Sequence, residues 1–199
     1  MKFRRLIAYI IDFMFITFMT SSISQINFLN PYLDKFYETS DKYLELYEDI
    51  IENQDVNALT SDNFTTLLYD LNKYNINVSL IEIICFILYY VGFQFWNNGQ
   101  TLGKKLMKLK VVDKSNNKAS FWQLLFRTVI LFGLYGQILN LLVFKLASKS
   151  TFLSISPYLS SIVNTLNYAV VLTILIRSDG RGLHDLISNT KVIDLKKSN

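Results

Sequence analysis

"RRLIAYIID", residues 4 to 12, sets two arginines ahead of an apolar run and then places an aspartate, Asp12, seven residues beyond Arg5. The run continues as "LIAYIIDFMFITFMTSSISQI", residues 6 to 26, which is 21 residues long and carries one charge. At about 1.5 Å per residue it covers the ~30 Å hydrocarbon core of a bilayer and reads as a transmembrane helix. "MKFRR" resembles the charged start of a signal peptide. Asp12 interrupts the apolar stretch, however, and no A-x-A-like cleavage site follows, so an uncleaved anchor is expected.

Three further segments repeat the pattern: residues 79 to 96, 128 to 147 and 158 to 176, several with aromatic residues near their ends as interfacial anchors have. Pro157 after Ser156 is a start signal for the last of them. The expected fold class is therefore an all-α membrane protein with four transmembrane helices. Mean hydropathy of +0.25 agrees with this, because a polar insert dilutes the spans. Charge sets the expected orientation. Lys2, Arg4, Arg5, six lysines within 97 to 120, Arg127, Arg177, Arg181, Lys191, Lys196 and Lys197 fall on one side, whereas residues 27 to 78 hold ten acids against three lysines. The positive-inside rule then places both termini in the cytoplasm, in the inner membrane, and the insert outside.

The expected organisation is a cytoplasmic N-terminus with the first span (1–26), an acidic extracytoplasmic helical insert (27–78) and the second span (79–96). A basic cytoplasmic loop and interfacial segment (97–127), the third span (128–147), a short external loop (148–157), the fourth span (158–176) and a cytoplasmic tail (177–199) complete it. In the insert, Asn30-Pro31 suggests an N-cap and first helical residue, and "TSDN" at 60 to 63 caps a second helix whose Phe64, Leu67, Leu68, Leu71 and Tyr74 form one stripe. The two helices are expected to cover each other's stripes, a protein partner at the insert being the rival reading.

"NNGQTLGKKLMKLKVVD", residues 97 to 113, has G-x-x-x-G-K spacing and Lys105 where a Walker loop needs Ser or Thr, so it is not a phosphate loop. Its lysines are expected to meet anionic lipid. "KVVD" at 110 to 113 returns as "KVID" at 191 to 194, a candidate short cytoplasmic β-ribbon. It would have to rest on the helix ends, because two strands alone are marginal in water. Basic residues that flank spans argue against nucleic-acid binding. Lone Cys85 and lone His184 offer no disulfide and no metal set, and no nucleophile motif accompanies His184 and Asp185. No cofactor and no enzymatic activity are expected. Arg181, His184 and Asp185 read as a structural network at the inner mouth.

"RRLIAYIID", "GQTLGKKLMKLKVVD", "SFWQLLFR" and "RGLHDLISNTKVI" resemble, in that order, the motifs of the RDD family of bacterial membrane proteins. The resemblance covers residues 4 to 26 and roughly 80 to 194 and leaves out the insert. It maps the family's arginine onto Arg5 and its first aspartate onto Asp12, and leaves Asp113 and Asp185 as candidates for the second. It implies an integral membrane protein for which transport of an undefined ligand, and for some members cation/proton exchange, has been suggested.

An aspartate at mid-helix depth costs about 2.5–3.5 kcal/mol on insertion scales, so Asp12 should face other helices, a cavity or a partner. Arg5 lies on the same helix face but about 10 Å away, and Arg127 is an equally good partner. Gln94, Gln137, Asn140, Asn164 and Asn167 are expected to line the same interior. Two functions follow. In one, Asp12 exchanges a proton or small cation while Arg5 or Arg127 tunes it, in a protein of a size that would need to form a homo-oligomer. In the other, Asp12 and an arginine form a permanent ion pair in a membrane scaffold or assembly partner.

Overall fold

The computed structural model describes residues 2–177 and 179–196, so Ser178 and the last three residues of the expected tail, Lys197 among them, lie outside the described residues. Helix α1 (Lys2–Ser24) is 23 residues long and buries only Ala8, Asp12 and Ile16, a stripe spaced by one turn. Beyond the two arginines, most of its remaining surface is apolar and much of it exposed, Phe3, Met14 and Phe18 most of all, as on a lipid-facing helix. Helices α2 (Leu33–Glu52) and α3 (Asp62–Tyr74), linked by a short 3-10 turn at Val56–Thr60, pack against each other, with Tyr43 against Phe64. Ser61 caps α3 by accepting the Phe64 N–H. Asn30 does not cap α2. That helix starts at Leu33 behind Tyr32, while the Asn30 amide donates to the Ser24 carbonyl.

Helix α3 runs on through α4 (Ile76–Ile87), a π-helical turn (Leu88–Phe93) and α5 (Gln94–Trp96), so that residues 62–96 form one 35-residue rod. The π turn inserts one extra residue per turn and aims both Tyr89 and Tyr90 inward, where they are buried. Next come a five-residue helix α6 (Leu102–Leu106), strand β1 (Leu109–Asp113) and α7 (Phe121–Leu131). Ser120 and Gln123 form a full capping box for α7, so the stretch expected as an interfacial turn is already helical from Phe121.

The expected third span is broken. Helices α7 and α8 (Leu134–Leu146) meet at 77°. Gly133 makes the corner with φ +65, the left-handed region that glycine enters without a Cβ penalty. Helix α9 (Lys149–Ile176) has 28 residues and begins behind Ser148, not at Pro157, which lies inside it, so the expected 148–157 loop is helical apart from Ser148. Among the described residues two helical rods, Lys2–Ser24 and 62–96, are long and apolar enough to cross a membrane, three if α7 and α8 count as one broken span.

Helix α10 (Leu183–Ile187) leads into strand β2 (Thr190–Asp194), which pairs antiparallel with β1 about the Val111–Val192 pair. The ribbon thus forms one residue longer than the tetrapeptide echo, and the echo itself extends backwards. In both places a five-residue helix is followed by a residue at positive φ, Lys108 or Asn189, and then by a five-residue strand. The ribbon rests on Ala8, Val91 and Leu124 through its buried Leu109, Val111 and Val192. A second apolar cluster, Ile16, Cys85, Phe86, Tyr89, Tyr90 and Leu134, joins α1, the long rod and the start of α8.

A Cβ at Gly133 would meet the Asn167 amide at 2.7 Å, in addition to the left-handed strain. Gly133→Ala is therefore expected to destabilise the detergent-solubilised protein by about 1–3 kcal/mol, seen as a lower melting temperature.

Candidate functional site

Asp12 is 1% exposed. Its Oδ1 accepts the Tyr89 hydroxyl at 2.6 Å and the Gly103 N–H at 2.7 Å, and its Oδ2 accepts the Thr101 hydroxyl at 2.5 Å. The Tyr89 hydroxyl in turn accepts the Leu102 N–H at 3.2 Å. Lys104 Nζ stands 3.7 Å from Oδ2, donates to Thr101 Oγ1 at 3.1 Å and lies 5.6 Å from the Tyr90 ring centroid. Each donor depends on local geometry. The π turn delivers Tyr89, the extended backbone at Thr101 opens α6, and Gly103 lets α6 touch α1, because a Cβ there would meet the Ala8 carbonyl oxygen at 2.2 Å. Burial pulls the Lys104 pKa down to about 8 against the opposing pull of Asp12, so the ammonium remains the main form at neutral pH.

A second buried pair lies on the other repeat. Arg127 forms an ion pair with Asp185 and donates to Thr190 Oγ1 at 3.2 Å, while the Thr190 hydroxyl donates to Asp185 Oδ1 at 3.2 Å. His184 Nε2 stands 3.4 Å from Asp185 Oδ2, and its buried Nδ1 has no hydrogen-bond partner. Burial, reinforced by Arg127, Arg5 and Lys104, pushes the His184 pKa down to about 2, so the imidazole is neutral. Arg181 Nη2 reaches the Asp185 carbonyl at 3.5 Å, which brings Arg181, His184 and Asp185 together. Lys104 and Asp185 hold the same position in the two helix–strand repeats, third residue from the start of α6 and of α10. One is cationic and meets an aspartate; the other is anionic and meets an arginine.

The arginines correct the expected pairing. Neither Arg5 nor Arg127 pairs with Asp12. Arg5 donates to the Gly180 carbonyl at 2.6 Å and the Val192 carbonyl at 2.7 Å, and Arg4 pairs with Asp194. Asp113 closes β1 and accepts the Asn117 N–H at 2.7 Å at the surface, so of the two remaining aspartates it is Asp185 that enters the buried network. The five amides also separate. Gln94 donates to the Gly99 carbonyl at 3.2 Å beneath the ribbon. Gln137, Asn140, Asn164 and Asn167 line a groove of about 330 Å³ between α8 and α9 that does not include Asp12. Sequence reasoning missed Tyr89, Thr101 and Thr190, and read Lys104 as lipid-facing. No spacing rule links these residues to Asp12; only the fold does. Among the described residues no three His, Cys, Asp or Glu side chains converge as metal ligands would.

Apolar rods long enough to span a bilayer mark a membrane protein. The chain belongs to the RDD family, whose model matches residues 2–189. No curated protein and no solved structure matches it.

Removing one partner of a buried pair leaves an uncompensated charge. Arg127→Leu is expected to cost about 3–5 kcal/mol in unfolding measurements in micelles, and adding Asp185→Leu to recover most of it. Gly103→Ala should lower stability by about 1–3 kcal/mol through the collision with Ala8.

The His184 shift fixes a pH dependence. Between about 6.5, where an unfolded histidine takes up its proton, and about 2, where the folded one does, the unfolded chain binds more protons, so stability rises with pH. The His184 contribution is thus complete above about 6.5 and falls by up to about 1.4 kcal/mol per pH unit below it. Melting curves of wild type and His184→Gln should converge as the pH is lowered from neutral.

Proposed function

We propose that this RDD-family protein is a membrane scaffold or assembly component, set in the inner membrane with both termini cytoplasmic, in which the two buried charge pairs fix the arrangement of the helices. The observation that carries the reading is the closure of Asp12. Both carboxylate oxygens are occupied by donors from the long rod and from the start of α6, the side chain is 1% exposed, and the groove between α8 and α9 is not lined by it. A carrier carboxylate needs a route for its ion, and so few candidate spans leave a thin wall for one. The distribution of basic residues supports the orientation.

Cation/proton exchange is the second reading, favoured by one observation. Lys104 Nζ lies 3.7 Å from Asp12, a separation long enough for a competing cation to displace it, with a pKa lowered to about 8. In that case Lys104 would release the proton and Asp12 hold the cation.

Proteoliposomes loaded with a pH-sensitive dye and stepped in Na⁺, K⁺ and Li⁺ separate the two. The scaffold reading expects no cation-driven proton movement from folded wild type, and expects Asp12→Asn to lower cellular abundance or assembly. Cation-driven flux that disappears in a folded Asp12→Asn variant would replace it with exchange.

A further inference from the structure

The groove between α8 and α9 holds polar groups that the fold leaves unanswered. Asn167 Oδ1 accepts the Tyr135 hydroxyl at 2.9 Å. By contrast, among the described residues Gln137 Oε1 is buried with no partner, and the side chains of Asn140 and Asn164 make no hydrogen bond. No charged residue lines the groove, and its walls include Gly133, Gly136 and Ser160. Asn164 and Ser160 stand exposed on one rim, beside the exposed apolar Tyr168 and Val171. In water such amides are satisfied by solvent. In a hydrocarbon layer each unanswered polar group carries a penalty that only another protein group, trapped water or a polar ligand removes.

We propose that a second copy of this chain docks on this groove, with the amides of α8 and α9 in each copy answering those of the other. The inference rests on the membrane reading of α8 and α9 and gives the assembly role a surface. Chemistry selects the occupant. A carboxamide is both donor and acceptor, so a set of amides is complementary to itself under a twofold axis and needs no charged partner. The groove lacks the counter-charge that a lipid phosphate or an ionised solute would require. It also lies open along the flank of the two helices, a shape suited to a neighbouring helix more than to an enclosed small molecule. Gly133 and Gly136 are covered by Asn167 and Val163 of the same chain, so it is the small, exposed Ser160 at the rim that lets a neighbouring helix approach closely enough for short amides to reach across.

The test uses the full-length chain in native membranes, with Cys85→Ala as background and Ser160→Cys as a reporter that leaves every amide in place. Mild oxidation with copper phenanthroline is expected to give a disulfide-linked dimer on a non-reducing gel. Adding Asn164→Leu should lower the cross-linked fraction by at least about threefold, the effect of one interhelical hydrogen bond in a membrane, whereas Asn164→Gln should largely keep it. Monodisperse elution in detergent shows that each variant is folded. Absence of the cross-link in folded protein, or a cross-link unchanged by Asn164→Leu, would overturn the proposal. In parallel, a charged, membrane-impermeant maleimide is applied from either side of sealed vesicles. Labelling of the introduced thiol would mean that water reaches the groove and would sink the membrane reading beneath the proposal; a shielded thiol that forms no disulfide would sink the second copy alone.

Discussion

A carboxylate held away from water has to be given donors, and most of the structure at the ribbon end follows from how Asp12 is given its own. The donors come from segments that are 77 to 91 residues away in sequence. Satisfying them fixes α1 against the long rod through Tyr89 and against α6 through Thr101 and Gly103. Because α6 leads directly into β1, the position of the ribbon is set at the same time. The π turn belongs to this constraint. The π turn carries Tyr89, whose hydroxyl donates to Oδ1, and buries Tyr90 beside it. A feature that weakens local helix geometry is kept because it closes a buried charge.

The second pair repeats the arrangement with the signs exchanged. Lys104 and Asp185 occupy equivalent places in two helix–strand units that meet through the ribbon, and each finds the opposite charge on a different helix, α1 for Lys104 and α7 for Asp185. Buried ion pairs contribute little net stability compared with apolar packing, because desolvation consumes most of the attraction. Their leverage lies in what they forbid. If the two units exchanged places, Lys104 would face Arg127 and Asp185 would face Asp12, and two like-charged pairs would be buried. The charge inversion therefore distinguishes two otherwise similar elements and makes the ribbon end asymmetric.

Local chemistry made part of this legible in advance. The length and composition of residues 6 to 26, the burial of Asp12, the Ser61 cap and the strand echo could all be read from neighbouring residues. The partner of Asp12 could not, because an arginine at the right depth looks as good as a lysine in a loop until the fold places them. Lys104 carried the same signal as its neighbour Lys105, yet the former is mostly covered beside Asp12 while the latter is exposed. The break in the third span was hidden by its hydropathy, which stays apolar straight through Gly133; only the backbone angle turns the chain. Pro157 misled for a related reason. Proline is frequent at helix starts, but a membrane-type helix tolerates one inside, where neighbouring groups answer the freed carbonyl.

Arg4 and Arg5 stand at the beginning of the first helix, yet they are anchored by Asp194, Val192 and Gly180. During synthesis the first helix leaves the ribosome and meets the bilayer long before those residues exist, since chains emerge at about 5–20 residues per second. Throughout that interval its two guanidinium groups lack the anchors they hold in the finished fold, and β1 has no strand to pair with. The end of the molecule made first is thus the last to close. A chain that stops short of β2 lacks Asp194 for Arg4 and the Val192 carbonyl for Arg5, and leaves β1 with an open edge, the kind of surface other chains pair with.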